Sequence, residues 1–83
     1  MNTAHKVEIY STPNCHFCAM AKEYFKENNI AYTNYDVAAD AEKRMEMVDK
    51  SGQLGVPVIV INDMDVVVGF DKPYVAKLLG LAA

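Results

Sequence analysis

The chain predicts an α/β domain whose elements run β-α-β-α-β-β-α, and three observations carry that expectation. Apolar and polar residues alternate over Lys6-Val7-Glu8-Ile9-Tyr10, the period-two pattern of a strand. A helical pattern follows from Cys15 to Asn28, with Cys18, Ala21 and Phe25 falling on one face. Later, Val58-Ile59-Val60-Ile61 is a continuous apolar run, as expected of a strand covered on both faces.

The first strand ends in a turn over Ser11 to Asn14 that contains Pro13. In the helix that follows, Phe17 and Tyr24 lie near the edges of the apolar face, and Lys22, Lys26 and Glu27 face water. Asn28-Asn29 stops it. Ile30 to Val37 carries Tyr32, Thr33, Tyr35 and Val37, a set that favours a strand. Asp40 to Ser51 predicts a second helix, with Met47 and Val48 inward and a solvated charged face at Glu42, Lys43, Arg44 and Glu46. Gly52 ends it. After the apolar run, Asn62-Asp63-Met64-Asp65 is a turn and Val66-Val67-Val68 the returning strand of a hairpin. Asp71 caps the last helix, Pro73 is tolerated in its first turn, and Gly80 marks its end. Its buried stripe is Val75, Leu78, Leu79 and Leu81.

With 83 residues, the chain is expected to form one domain over residues 1–83, and a 52% apolar content offsets its small size. It starts Met1-Asn2-Thr3-Ala4-His5-Lys6 and enters a strand at once, with no signal-peptide core, lipidation motif or run long enough to span a bilayer. A cytoplasmic monomer that does not engage membranes is the expectation. The net charge of −3 and the lack of a Lys/Arg cluster argue against nucleic acid as a partner. His5 is expected to be a solvated end residue, and Met47 core filler.

Cys15 and Cys18 are the only cysteines, and Cys15-His16-Phe17-Cys18 stands where strand gives way to helix. That context marks a C-x-x-C as a thioredoxin-like redox motif. Residues three apart on a helix are neighbours, so the two sulfurs can close a small disulfide ring and reopen it. The helix start offers unpaired N–H groups and a partial positive charge, which favour thiolate, the reactive form. A free thiol with a pKa near ~8.5 is only about 3% ionised at neutral pH. Lowering the pKa to roughly 6 needs about 3.4 kcal/mol of differential stabilisation. A helix terminus supplies ~0.3–1 kcal/mol, or ~2 in a favourable site, so direct N–H···S bonds or a protonated His16 must supply the remainder. His16 either acts as that cation or points to solvent; adjacent helical positions do not face each other, which favours solvent. Phe17 offers a ring against which a substrate packs, or is an exposed rim residue.

Three motifs in order, C-x-x-C, Gly55-Val56-Pro57 and Val68-Gly69-Phe70-Asp71, make the chain resemble the glutaredoxin family from about Val7 to Leu79. The resemblance implies the thioredoxin-like (glutaredoxin) fold, a four-stranded mixed sheet flanked by three helices, with Val56-Pro57 in the cis form. A Pro at the start of a buried strand lacks an N–H, and a cis bond would turn the Val56 backbone toward the dithiol, where it can pair with an extended substrate. The resemblance also implies reduction of protein or glutathione mixed disulfides, with Cys15 as nucleophile, Cys18 as resolving thiol and no bound cofactor or metal. Thr12, His16, Phe17, Val56, Pro57, Gly69, Phe70, Asp71 and Lys72 are then the expected substrate or glutathione contacts.

The departures bear on the electron source. Thr12 stands where the family commonly has Lys or Arg, His16-Phe17 replaces Pro-Tyr, and Gly55 replaces Thr. Val68-Gly69 replaces Gly-Gly, and Asp71-Lys72 replaces an Asp pair, so the cationic wall is thinner, with Lys72 as a partial substitute. Gly69-Phe70 is similar to the Gly-Phe of redoxins that serve ribonucleotide reductase and are recharged by thioredoxin reductase. Disulfide-containing proteins are the expected partners, with glutathione or thioredoxin reductase as electron donor. The alternative is an iron–sulfur or metal-binding module; two thiolates are half of a four-ligand set, so a dimer or an external thiol would have to complete it.

Overall fold

The computed structural model describes residues 5–81. Its elements are β1 (Val7–Ser11), α1 (His16–Glu27), β2 (Thr33–Asp36), α2 (Ala41–Ser51), β3 (Val58–Ile61), β4 (Asp65–Val68) and α3 (Lys72–Leu78). The predicted order holds. The strands form one mixed sheet in the order β2-β1-β3-β4, with β1 parallel to β2 and antiparallel to β3, and β3 antiparallel to β4.

Side-chain alternation along the central strands splits the core into two layers. Val7 and Ile9 of β1 and Ile59 and Ile61 of β3 point to the layer that also holds Ala21 and Phe25 of α1 and Val75 and Leu79 near α3. Tyr10, Val58 and Val60 point the opposite way and meet Met47 of α2 and Val37, which follows β2. The inward face expected for α1, Cys18, Ala21 and Phe25, is the buried one. In the last helix the buried positions are Val75 and Ala76, with Leu79 just beyond it, whereas Leu78 and Leu81 pack only partly against the core.

Strand β1 departs from its sequence pattern. Ser11, expected in the turn, is a strand residue, and all five residues are buried, including Glu8 at 6% exposure and Ser11 at 1%. Alternation normally marks a sheet with one wet face, but β1 is central and covered on both sides. Two of its polar side chains find partners in β2: Tyr35 donates to Glu8 Oε2 at 2.8 Å, and Ser11 Oγ lies 2.6 Å from Asn34 Oδ1, while Glu8 Oε1 is buried without a hydrogen-bond partner among the described residues. Strand β2 is shorter than expected because Ile30 and Tyr32 pack against the core from the approach to the strand. Asn29, at φ 56°, ends α1 as a left-handed residue, and the Ile30 N–H donates to the Phe25 carbonyl at 2.8 Å.

The charged face of α2 is not wholly solvated. Glu46 and Lys43 are half-buried against the sheet: Tyr10 donates to Glu46 Oε1 at 2.5 Å, and the Lys43 ammonium sits 4.2 Å from the Tyr35 ring centre and 3.3 Å from Glu46 Oε2. His5 is half-buried and meets the Asn62 amide at 3.0 Å, so it is more than a solvated end. Asp40 caps α2 by accepting from the Lys43 N–H, and Gly52 closes it at φ 75°. The stretch Met1 to Ala4 lies outside the described residues.

Candidate active site

The register of the sheet gathers the functional segments at one pole. Tyr10 of β1 pairs with Val58 of β3, which pairs with Val68 of β4. One step beyond this row stand the turn leading to Cys15, the Val56-Pro57 bond and Gly69. Three motifs far apart in sequence therefore become neighbours because β1 and β4 both run antiparallel to β3.

Cys15 is the N-cap of α1, one position outside the helix that sequence periodicity assigned to it, with extended backbone at φ −94° and ψ 113°. Its N–H donates to the Thr12 carbonyl at 3.3 Å. Its sulfur accepts the Cys18 N–H at 3.1 Å, the place a Ser or Asp side chain oxygen takes in an ordinary cap. Cys15 and Cys18 are paired as a disulfide, their Cα atoms 5.2 Å apart. Cys15 is half-buried, whereas Cys18 is fully buried one turn into the helix. His16 and Phe17 are both exposed, Phe17 at 58%, and their rings meet edge to face at 5.5 Å. His16 thus stacks on its neighbour.

Val56-Pro57 is a cis peptide bond. Pro57 is buried, and its carbonyl accepts the Gly69 N–H at 2.8 Å, which joins the second and third motifs directly. Among the described residues neither the N–H nor the C=O of Val56 has a hydrogen-bond partner. Gly69 has φ 83°, a left-handed conformation that a side chain would strain. Asp71 caps α3 by accepting from the Tyr74 N–H at 3.3 Å. Phe70 is half-buried with its ring 5.7 Å from Tyr24, and the Lys72 ammonium lies 5.4 Å from the same Tyr24 ring. Lys72 therefore leans toward α1. Thr12 is half-buried and serves the turn through its carbonyl.

The structure also exposes a residue that sequence reasoning passed over. The Gln53 side chain bonds both the N–H and the C=O of Gly55. No periodicity marks a Gln two residues before a Gly, so pattern reading had no signal for it. As for a metal or cluster, no group of three or more His, Cys, Asp or Glu is arranged to hold one among the described residues. The two thiolates fit half of such a site, and the other ligands would come from outside the chain.

A family model for Glutaredoxin matches residues 7–66, from the first strand into the fourth. The chain belongs to the glutaredoxin family. It is 47% identical over 73 residues to an uncharacterized glutaredoxin-like 8.6 kDa protein in the rubredoxin operon of Clostridium pasteurianum, covering 88% of this chain and 96% of the relative. Glutaredoxin 3 of Escherichia coli K12 is 32% identical over 74 residues, covering 89% of this chain and 88% of the relative. A crystal structure of a thioredoxin-like protein superposes with a TM-score of 0.82 at 38% identity, covering 89% of this chain and all of the other (100%). The family model itself ends before Gly69, ahead of α3. No helix among the described residues is long and apolar enough to cross a membrane.

Proposed function

We propose that this glutaredoxin reduces disulfides by a dithiol mechanism, with Cys15 as nucleophile and Cys18 as resolving thiol. The observation that carries the assignment is the contrast in burial across one helical turn: Cys15 is half-exposed at the cap and Cys18 is sealed behind it. In the reduced protein the Cys18 N–H and the helix start favour the Cys15 thiolate. That thiolate attacks one sulfur of a target disulfide, forms a mixed disulfide and expels the other sulfur as a thiolate, which takes a proton from solvent. Cys18 then loses its proton and attacks the Cys15 sulfur. This step breaks the bond to the target, releases it as a second thiol and leaves the Cys15–Cys18 disulfide. Two electrons pass from the dithiol to the target, and an external thiol or reductase restores them.

The substrates in this reading are protein disulfides and glutathione mixed disulfides in the cytoplasm. The Val56 N–H and C=O, unpartnered among the described residues, support capture of an extended peptide backbone beside the cis-Pro57 turn. Thr12 supplies no cation for a glutathione carboxylate, and Lys72 leans on Tyr24. These features favour a protein reductant such as thioredoxin reductase over glutathione as the electron source. Trapping tests the roles: Cys18→Ser should accumulate a mixed disulfide on Cys15, identified by mass, and trapping only with Cys15→Ser would reverse the assignment. Coupled assays with glutathione and with thioredoxin reductase test the donor, and turnover with glutathione alone would overturn that preference.

A further inference from the structure

The loop bearing Val56 and Pro57 is held from behind by a side chain that takes no part in the thiol chemistry. Gln53 Oε1 accepts the Gly55 N–H at 2.6 Å, and Gln53 Nε2 donates to the Gly55 carbonyl at 3.0 Å. Both polar atoms of the Gly55 backbone are thereby satisfied by one amide. The Gln53 N–H in turn donates to Ser51 Oγ at 3.3 Å, and Ser51 Oγ donates to the Met47 carbonyl at 2.7 Å. A continuous chain of hydrogen bonds thus runs from the last turn of α2 to the residue before Val56.

The identity of residue 55 follows from the same contact. Gly55 is not among the residues with positive φ, so its backbone does not demand glycine. A Cβ there would stand 2.7 Å from Gln53 Oε1, closer than side-chain atoms pack. Among the described residues outside its chain neighbours, the obstacle to a Cβ is the Gln53 amide, the end of a flexible side chain that would swing away and open the clamp.

We propose that Gln53 is a positioning residue that fixes the Gly55 peptide so that the N–H and C=O of Val56 stay free to pair with the backbone of a peptide disulfide, and that Gly55 is glycine to admit it. This rests on the disulfide-reductase reading above. The clamp acts only on substrates that carry peptide groups. It therefore contributes to selection between peptide and non-peptide disulfides, and the reactivity of Cys15 itself does not depend on it.

The test is the single-turnover rate of the fully reduced protein with two disulfides: the dimer of a blocked glycyl-cysteinyl-glycine tripeptide, and hydroxyethyl disulfide, which has no peptide groups. Gln53→Ala should slow the first reaction about fivefold, the worth of one hydrogen bond, and leave the second unchanged. Gly55→Ala should reproduce the same selective loss, and the double variant should lose no more than either single one, because both remove one clamp. Equal slowing of both disulfides, slowing of neither, or additive losses in the double variant would overturn the proposal. A wild-type protein inert to both disulfides would instead overturn the reductase reading.

Discussion

Tyr10 reaches from the centre of the sheet to donate a hydrogen bond to Glu46, an apparent surface residue of α2. The phenol is fully buried, and Glu46 also receives the Lys43 ammonium, so a strand, a helix and a charge pair meet at one carboxylate. Removing the phenol oxygen leaves the ring packed and takes away a hydrogen bond to a charged group. Tyr10→Phe should therefore cost about 1–3 kcal/mol of unfolding free energy in urea. Glu46→Gln, which keeps an acceptor, should cost less than Tyr10→Phe; an equal or larger loss would place the weight on the charge.

The same carboxylate predicts how stability responds to acid. The Tyr10 hydrogen bond and the Lys43 charge hold the Glu46 carboxyl below its ordinary range against the opposing effect of desolvation. A group depressed in the folded state contributes stability that is complete above its unfolded pKa and is lost as pH falls through the folded value. Wild type should thus lose stability on acidification more steeply than Glu46→Gln, seen in melting temperatures across the acid range. Parallel curves would show that Glu46 carries no such linkage.

At the alkaline end the sign reverses. The hydrogen bond to Glu8 and burial push the Tyr35 phenol up to about 12, so the folded state resists its ionisation. The contribution is present below the unfolded phenol pKa of about 10 and disappears as pH rises through about 12. Tyr35→Phe should flatten this alkaline loss. Spectrophotometric titration should show tyrosines ionising late, Tyr10 among them, because burial and Glu46 also raise its phenol.

Phe25 is the largest fully buried side chain that α1 contributes to the core, its ring 5.5 Å from Tyr32. Phe25→Ala should cost about 3–5 kcal/mol, through lost burial and a cavity that the rigid sheet cannot close. A domain of this size has a stability of only about 4–12 kcal/mol, so the variant should unfold at markedly lower urea. A loss below 1 kcal/mol would mean that Tyr24 and Tyr32 collapse into the space.

How far the sequence foretold this molecule depends on whether each signal is local. The inward stripe of α1, the cap Asp71 and the strand Val58–Ile61 are set within a few residues of themselves, and all are found where the pattern places them. Glu46 and Lys43, expected in water, are half-buried because their partners Tyr10 and Tyr35 stand on the sheet, far away in sequence, and charge normally means water. At the site, the cysteine pair announces itself by spacing. The cis bond at Pro57 was expected through resemblance, and the structure has it. The Gln53 amide left no trace in the pattern, since its role depends on a side chain folding back on its own loop. The exposed stack of His16 on Phe17 was equally unreadable, because neighbouring helical positions diverge and only the rotamers bring the rings together.

The bond from Gly69 to the Pro57 carbonyl has a wider implication. The floor of the reactive pole is stitched from the β3–β4 hairpin, while the sulfurs stand at the start of α1, so a short fragment around the cysteines lacks that floor. A short synthetic peptide with the Cys-His-Phe-Cys quartet should behave as an ordinary dithiol, and the reactivity of its thiols beside those of the intact chain would report how much the surrounding architecture adds.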